Sequence, residues 1–375
     1  MTVQELTIQG PPEEPPPPAP PHRWSPRRRW VAGLAAVVVV GLVTAGLLVK
    51  LPYYTLSPGS ARATEPLISV EGAPTYENDG NIDFLTVSLR QSTPVELLAA
   101  WINPAVDVKS QDELFPNQTV EENRQVNLQA MSDSKDAATY QALHRLGYDI
   151  PTSGTGAVIA REVADDAPVY GELELGDTIV AVNGQPVALA SDFVAAVGAS
   201  PPGTVLSLQV VPFEGEQVQR TVEVTLGARP DDPSKGYLGV VLATRDLTFD
   251  FPVQVTIDSG RVGGPSAGLA FTLGLLDVMT PDSLTGGLSV ATTGTMELDG
   301  RVGPIGGIHQ KVEAAKRRGT QLMLVPSSEL EEARTYADGL RIEGVDDLDD
   351  ALAVLSTVGG GDLVLPAEST TAPVS

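Results

Sequence analysis

The chain has 375 residues, enough for two or more compact domains, and 42% of them are apolar, so most of the chain should fold. It has no cysteine and three histidines (His22, His144 and His309), which argues against a thiolate nucleophile, a disulfide framework and a metal centre. Of the formal net charge of −24, residues 1–50 contribute +2 (five basic against three acidic residues) and the remainder −26, a charge that would repel nucleic acid.

The N-terminal 50 residues predict a tail followed by a membrane anchor. Residues 1–29 contain the run Pro15–Pro21, which favours an extended, disordered tail. Residues 30–50 include the uncharged apolar run Val31–Val49, and about 20 such residues cross a bilayer. Arg27–Arg29 precede the run, so the positive-inside rule puts the N-terminus in the cytoplasm. Aromatic side chains suited to the membrane interface flank it: Trp30, Tyr53 and Tyr54.

A cleaved signal peptide is the alternative interpretation of this run. The run is longer than a signal core, however, and the nearest small-residue site, Ala61–Ala63, lies too far beyond its end. We therefore expect a single-pass protein of the cell membrane whose domains after Lys50 are extracytoplasmic.

Residues 51–150 should form an extracytoplasmic N-terminal region to which the sequence assigns no chemistry. Ile82–Leu89 alternates as a strand does, and Ala137–Leu146 predicts a helix that ends at Gly147. The region is either a folded spacer or part of the sheet of the domain that follows.

Residues 151–229 consist of short strands and turns. The strand that ends in Asn183-Gly184 predicts a hairpin, and Ser191 is placed to cap a helix that runs to Val197. The Leu175-Gly176-Asp177 and Asn183-Gly184 elements resemble those of PDZ domains, over residues 154–226.

The PDZ resemblance implies a mainly β domain that binds an extended C-terminal peptide by strand addition. The loop that holds the peptide carboxylate would be formed by Thr155, Gly156, Ala157 and Val158. The helix from Ser191 to Val197 would be the other wall of the groove. A docking or regulatory module without a carboxylate ligand is an equally open interpretation.

The first chemical motif is Gly263-Gly264-Pro265-Ser266-Ala267-Gly268, followed by the apolar run Leu269–Met279. Pro265 suits a helix start, and the glycines allow a substrate to approach the backbone closely. Ser266 should therefore lie at a helix N-terminus, where free N–H groups and the helix dipole can stabilise an oxyanion.

The second motif, Gly303–Lys311, opens a predicted helix that runs to Arg318 and stops at Gly319. An apolar stripe follows one face of that helix, at Ile308, Val312 and Ala315, and Lys311 lies on its edge. Burial there would favour a neutral amine, which can take the proton of a serine hydroxyl.

Together these motifs closely resemble the proteolytic domain of Lon-type Ser/Lys endopeptidases, over residues 237–358. The Pro265–Gly268 box, Thr293-Gly294 and the Pro304–Lys311 run carry the resemblance. It implies that Ser266 is the nucleophile, Lys311 the general base and Thr293 a hydroxyl that orients the lysine, with Gly264 and Pro265 in supporting positions.

The whole arrangement resembles the YlbL-type PDZ–Lon membrane proteases of Gram-positive bacteria. The expected fold class is α+β: a Lon proteolytic domain (236–358) preceded by a PDZ domain (151–229), one transmembrane helix and a disordered tail at 359–375. The resemblance implies a serine endopeptidase acting on exported or membrane-associated polypeptides, and it leaves homo-oligomerisation possible because Lon-like domains form rings.

Two departures from the Lon pattern qualify these expectations. Gly263 stands where Lon has an acidic residue, so an acidic group that assists the dyad must come from elsewhere. The chain has no phosphate-binding GxxxxGK[ST] loop, which predicts cleavage without ATP. Substrates would then be flexible or short. No cofactor or metal is expected.

Two other functions compete with this one. Gly264–Gly268 also fits the G-x-S-x-G elbow of α/β-hydrolases, with Asp299 and His309 as triad partners, but too few elements separate these residues for that sheet. A catalytically inactive membrane-anchored PDZ scaffold is the second alternative, and the presence of both dyad residues disfavours it.

Overall fold

The computed structural model describes residues 26–361 except 117, 162, 165–166, 214–217 and 231. The proline-rich run of the predicted N-terminal tail and residues 362–375 of the predicted C-terminal tail lie outside the described residues.

The α-helices of the described residues, in chain order, are α1 (Pro26–Leu48), α2 (Pro94–Ile102), α3 (Gln111–Leu114), α4 (Val120–Arg145), α5 (Ala190–Gly198), α6 (Gly268–Met279), α7 (Ile308–Arg318), α8 (Leu330–Thr335) and α9 (Leu348–Ser356). The strands are β1 (Tyr53–Ala63), β2 (Ile68–Glu71), β3 (Asn81–Gln91), β4 (Asp107–Ser110), β5 (Thr152–Ser153), β6 (Ala157–Ile159), β7 (Thr178–Val182), β8 (Gln185–Pro186), β9 (Val205–Val211), β10 (Arg220–Thr225), β11 (Gly227–Ala228), β12 (Gly236–Tyr237), β13 (Leu242–Thr244), β14 (Thr248–Phe249), β15 (Gln254–Ile257), β16 (Ser289–Thr292), β17 (Thr295–Met296), β18 (Val302–Gly303), β19 (Leu322–Pro326) and β20 (Arg341–Val345).

The larger domain is built on a six-stranded sheet with the order β20-β19-β16-β3-β1-β4. Strand β3 lies inside it, parallel to β16 and antiparallel to β1. Strands from residues 51–150 and from the C-terminal part of the chain therefore share one sheet. The N-terminal region is part of the same domain as Ser266 and Lys311, which decides between the two interpretations that the sequence left open.

Alternating side chains of β3 pack against helices on the two faces of this sheet. Phe84 is buried with Phe271 of α6, whereas Leu85 is buried with Ile308 of α7. Asp83, fully buried, accepts a hydrogen bond from Arg318 Nε at the end of α7 (3.0 Å). The strand thus positions the helix that precedes β16 and the helix that follows it.

The smaller domain has its own sheet, with the order β10-β9-β7-β6-β13, and its own apolar cluster beneath α5. The chain enters it through β5 and leaves it through β14, and these two strands pair with each other. The smaller domain is therefore inserted into the larger one after α4, whereas the sequence predicted that it precedes a separate protease domain. Because β13 pairs with β6, the smaller domain extends to Thr244, beyond the predicted boundary at 229–236.

Two local predictions in the smaller domain had different outcomes. Asn183 and Gly184 both have positive φ (51° and 77°), which confirms the two-residue turn between β7 and β8. The prediction that Ser191 caps α5 was wrong. The Asp192 carboxylate instead accepts the N–H groups of Ala188 and Leu189, at 3.2 and 2.9 Å, because its side chain is placed to reach back over the first turn.

The predicted anchor is helical, as α1. Within the part of the chain that the structure describes, no helix meets the combined requirements of length and apolarity for a membrane span.

Candidate active site

Ser266 lies in the loop that leads into α6, two residues before the helix begins at Gly268, which confirms its predicted position at a helix start. Gly264 has φ +91°, a conformation that a side chain would strain. The serine is half-buried and lines a cavity of about 750 Å³ with Gly264, Pro265 and Lys311. The two glycine-flanked motifs therefore meet at one cavity.

Helix α4 forms hydrogen bonds with residues 263–267, the segment before α6 that we call the serine loop. The N–H of Gly264 donates to the carbonyl oxygen of Asn127 (2.7 Å), and the Ser134 hydroxyl donates to the carbonyl oxygen of Pro265 (2.9 Å). Ser134 is buried, 131 residues before Pro265 in the chain. No local pattern in α4 predicts these contacts, because they depend on the packing of α4 against α6.

Lys311 is on α7, on the face that packs against the sheet, and is 2% exposed. Ile308, Val312 and Ala315 of the predicted stripe are buried beside it. Burial lowers the pKa of Lys311 from 10.5 to about 7, while the negative charge of Glu329 opposes this shift. A substantial fraction of the amine is therefore neutral at neutral pH and carries the lone pair that a base needs.

Thr293 joins the lysine to the serine backbone. It follows β16 directly and is fully buried. Lys311 Nζ donates to Thr293 Oγ1 (2.9 Å), and this hydroxyl donates to the carbonyl oxygen of Ser266 (3.1 Å). The Thr293 hydroxyl thus links the Lys311 amine to the backbone of Ser266. The resemblance implies that Thr293 orients the lysine, and this geometry suits that role.

Some backbone N–H groups around Ser266 are hydrogen-bonded within the protein, whereas others are available to a group bound in the cavity. Gly268 N–H donates to Pro265 and Leu269 N–H donates to Gly294. Within the described part of the chain, the N–H groups of Ser266 and Ala267 have no acceptor. They lie at the positive end of the α6 dipole, so they are suited to hold an oxyanion.

Glu329 is an acidic residue near Lys311 that the sequence did not identify. It closes a 3₁₀ turn, Ser327–Glu329, after β19, and one carboxylate oxygen accepts the N–H of Ile305 (3.4 Å). This contact lies in the glycine-rich run before α7. The only signal in the sequence was indirect: Gly263 occupies the position of the usual acid, so any acid had to come from another segment.

The alternative triad is not assembled. The His309 ring stacks on Tyr336, with ring centroids 3.9 Å apart, and its Nδ1 lies 3.6 Å from Asp107. Asp299 is bound to Arg301 in an exposed turn, 2.7 Å between Oδ2 and Nε. Both candidate partners of Ser266 therefore have other contacts, and His309 is partly buried on α7.

Among the described residues, no group of three or more histidine, aspartate or glutamate side chains could hold a metal ion.

The predicted peptide-binding residues of the smaller domain lie on a loop and a strand that already have backbone partners. Of the predicted peptide-binding residues, Ala157 and Val158 lie on β6, which is paired on one side with β7 and on the other with β13. Thr155 and Gly156 are hydrogen-bonded through their backbones to Arg245. This loop and strand therefore have no open edge for an added peptide strand.

Strand β13 is one of the two outer strands of that sheet, the other being β10, and β13 contacts α5. A cavity of about 550 Å³ lies between α5 and the segment 235–242. Its lining includes Val194 and Val197 of α5, Tyr237 of β12, Gly239, and Leu242 of β13. Among the described residues, β13 pairs with β6 alone, so its second edge is unpaired, and β13 contacts α5, the helix that the sequence predicted as the groove wall.

Solved structures similar to parts of this chain include the PDZ domain of an SdrC-like protein from Listeria innocua (18% identity, 23% of this chain and 92% of that one, TM-score 0.21). A solution structure from Geobacillus thermodenitrificans is 28% identical over 23% of this chain and 97% of that one, with a TM-score of 0.21.

Among curated proteins, Lon protease 2 of Bacillus subtilis is 31% identical over 125 residues, which are 33% of this chain and 19% of that protein. Lon protease of Orientia tsutsugamushi is 43% identical over 87 residues, 22% of this chain and 11% of that protein. The chain thus spans a fifth or less of the length of these relatives. Residues 244–357 match the family model of the Lon protease (S16) C-terminal proteolytic domain. This part of the chain therefore carries a Lon-type proteolytic domain, as the sequence resemblance predicted.

Proposed function

We propose that this protein is a serine endopeptidase in which Ser266 is the nucleophile and Lys311 the general base. The observation that carries the proposal is the buried lysine, whose pKa is about 7, hydrogen-bonded to Thr293 at the cavity that Ser266 lines. The similarity of residues 244–357 to Lon proteolytic domains supports it independently.

The reaction starts when the neutral amine of Lys311 takes the proton of the Ser266 hydroxyl as Oγ attacks the peptide carbonyl carbon. The N–H groups of Ser266 and Ala267 hold the resulting oxyanion. Collapse of this intermediate breaks the C–N bond, and the Lys311 ammonium gives its proton to the departing amine. Lys311 then takes a proton from water as the water oxygen attacks the acyl-enzyme ester. The C–Oγ bond breaks, the Lys311 ammonium returns its proton to Ser266 Oγ, and the carboxylic acid product leaves.

The test is hydrolysis of casein and of a fluorogenic peptide library by the full-length protein. Ser266→Ala and Lys311→Ala should each abolish cleavage, whereas His309→Ala should leave most of it. Ser356→Ala is a matched serine control, since that exposed hydroxyl donates to the carbonyl oxygen of Ala353 in its own helix. If the Ser266→Ala variant and the unaltered protein are equally inert towards all substrates, the scaffold alternative is correct.

The finer parts of the proposal concern location and docking. We propose that α1 attaches the protein to the cell membrane, with the domains after Lys50 outside, because it presents exposed valine and leucine side chains along its length. Cleavage proceeds without ATP on flexible exported or membrane-associated polypeptides. Their ends dock on the smaller domain, at the open edge of β13 beside α5.

A further inference from the structure

Helix α2 presents apolar side chains to the outside of the larger domain. Leu98 is 62% exposed, Trp101 85% and Ile102 76%, and Val95 is exposed on the same face. Residues at positions 95, 98, 101 and 102 share one side of a helix. A cluster of this kind, which includes a tryptophan, is unusual on a surface that meets only water. We call these four side chains the α2 patch.

The α2 patch adjoins the end of α1. A Cβ atom at Gly46 would lie 3.4 Å from Val95 Cγ2, so the last turn of α1 touches the first turn of α2. The apolar side chains of α1 are exposed up to that turn, including Val43, Leu47 and Leu48. The exposed apolar surface therefore continues from one helix onto the other.

The connection between α1 and the sheet is short and fixed. Helix α1 ends at Leu48 and β1 begins at Tyr53. Between them, Leu51 N–H donates to the carbonyl oxygen of Ser92 (2.9 Å), and Lys50 Nζ donates to Gln91 and to Glu96 (2.8 and 3.1 Å). No flexible linker separates α1 from the larger domain. A membrane that surrounds α1 must therefore also lie close to α2.

We propose that the α2 patch inserts into the interface of a phospholipid bilayer and seats the larger domain on the membrane. This inference rests on the proposed attachment through α1. Tryptophan and aliphatic side chains of a helix lying in the interface bury their apolar parts at the level of the headgroups. Because Glu96 pairs with Lys50 beside the patch, and the chain after residue 50 is strongly acidic, the binding is apolar rather than electrostatic.

The test uses Trp101 as a reporter. The chain has three tryptophans, and Trp24→Phe with Trp30→Phe leaves Trp101 alone. The full-length variant is reconstituted in phosphatidylcholine vesicles whose acyl chains carry bromine close to the headgroup. The proposal predicts a blue-shifted emission, at least about twofold quenching by the bromines, and no loss of quenching in high salt.

The matched control moves the reporter. Phe213 is 62% exposed in the smaller domain, so Phe213→Trp with Trp101→Phe in the same background should emit as in water and resist quenching. Vesicle flotation separates the two proposals. A chain that floats while Trp101 is unquenched overturns the α2 patch proposal and leaves the attachment intact. A chain that does not float overturns both. If quenching of Trp101 by bromine decreases as the protein concentration rises, a second copy of the chain covers the patch. That result also overturns the proposal.

Discussion

The Ser266 cavity and the groove of the smaller domain are both open spaces beside a helix, and the sequence predicted them with unequal success. At the cavity, Ser266, Lys311 and Thr293 lie together as the resemblance implied. At the groove, the predicted helix α5 contacts β13, whereas the predicted strand β6 is paired on both sides. Residue chemistry thus identifies a reactive site, whereas a binding edge depends on the order of strands in a sheet.

The sharpest test of the cavity is Lys311→Met, which keeps the length and removes the amine. Activity should fall at least about a thousandfold because the base is lost. The matched control is Lys316→Met on the same helix, whose amine pairs with Glu313 and Asp338 instead of lining the cavity; it should keep its activity. Steady-state hydrolysis of one fluorogenic peptide measures both.

Lys311→Met should also make the protein more stable. Since burial lowers the pKa of Lys311 to about 7, the unfolded chain binds a proton that the folded chain lacks between about pH 7 and pH 10. Stability therefore rises with pH across that window in the unaltered protein. Near pH 7 the substitution should add about 2–4 kcal/mol to the free energy of unfolding, at about 1.4 kcal/mol per pKa unit, and remove this rise. Denaturant unfolding at several pH values measures this dependence in both proteins. If the free energy of unfolding rises with pH equally in both, the burial argument is wrong.

A second test addresses the support of the serine loop by α4. Ser134→Ala removes the hydroxyl that holds the Pro265 carbonyl, so the N–H of Ser266 is less firmly aimed into the cavity. We expect kcat to fall about 10- to 100-fold with little change in KM, because the oxyanion forms after substrate binding. Ser356→Ala is the control. An increase in KM with unchanged kcat would mean that Ser134 acts on binding.

The third test sets the observed groove against the predicted one. Val194 lines the groove on α5, and Val194→Asp should raise the KM for an unfolded protein about 3- to 10-fold through lost apolar contact. The KM for a short peptide that does not reach the groove should not change. Thr155→Ala, in the loop that the sequence predicted, should leave both KM values as they are. The opposite pattern would return the binding site to Thr155–Val158.

The smallest effect is expected from Glu329→Gln. The carboxylate of Glu329 opposes the lowering of the Lys311 pKa, so its removal should lower that pKa further. Because the neutral amine is the active form, the acidic limb of the profile of kcat/KM against pH should move to lower pH. Activity near pH 6, relative to that near pH 8, should rise about two- to threefold. A limb that moves to higher pH would show that Glu329 does not act on the lysine charge.

Most of the predicted local parts of the fold followed from the sequence, with the cap of α5 as the exception. The start of α6 after Pro265, the end of α7 at Gly319 and the turn at Asn183-Gly184 each have a cause within a few residues, and each lies where it was predicted. The placement of Lys311 against an apolar surface followed from the helical period of its neighbours.

Apart from the Ser191 cap of α5, the parts that failed or were missed involve distant segments. Neither the pairing of β3 with β16 nor the support of Pro265 by Ser134 has a local signature, because each joins residues more than a hundred positions apart. The insertion of the smaller domain escaped detection for the same reason. Its entry and exit strands contain two residues each, too short for any periodic pattern.

Those two short strands have an architectural consequence. Ser153 and Thr248 are direct partners across the antiparallel pair, so their Cα atoms stand about 5 Å apart. A tight turn of two residues could close that gap in place of everything from 154 to 247. The smaller domain could thus be removed or exchanged without altering the path of the chain on either side of it. A protease with a different accessory module could arise from this scaffold by replacement of this one segment.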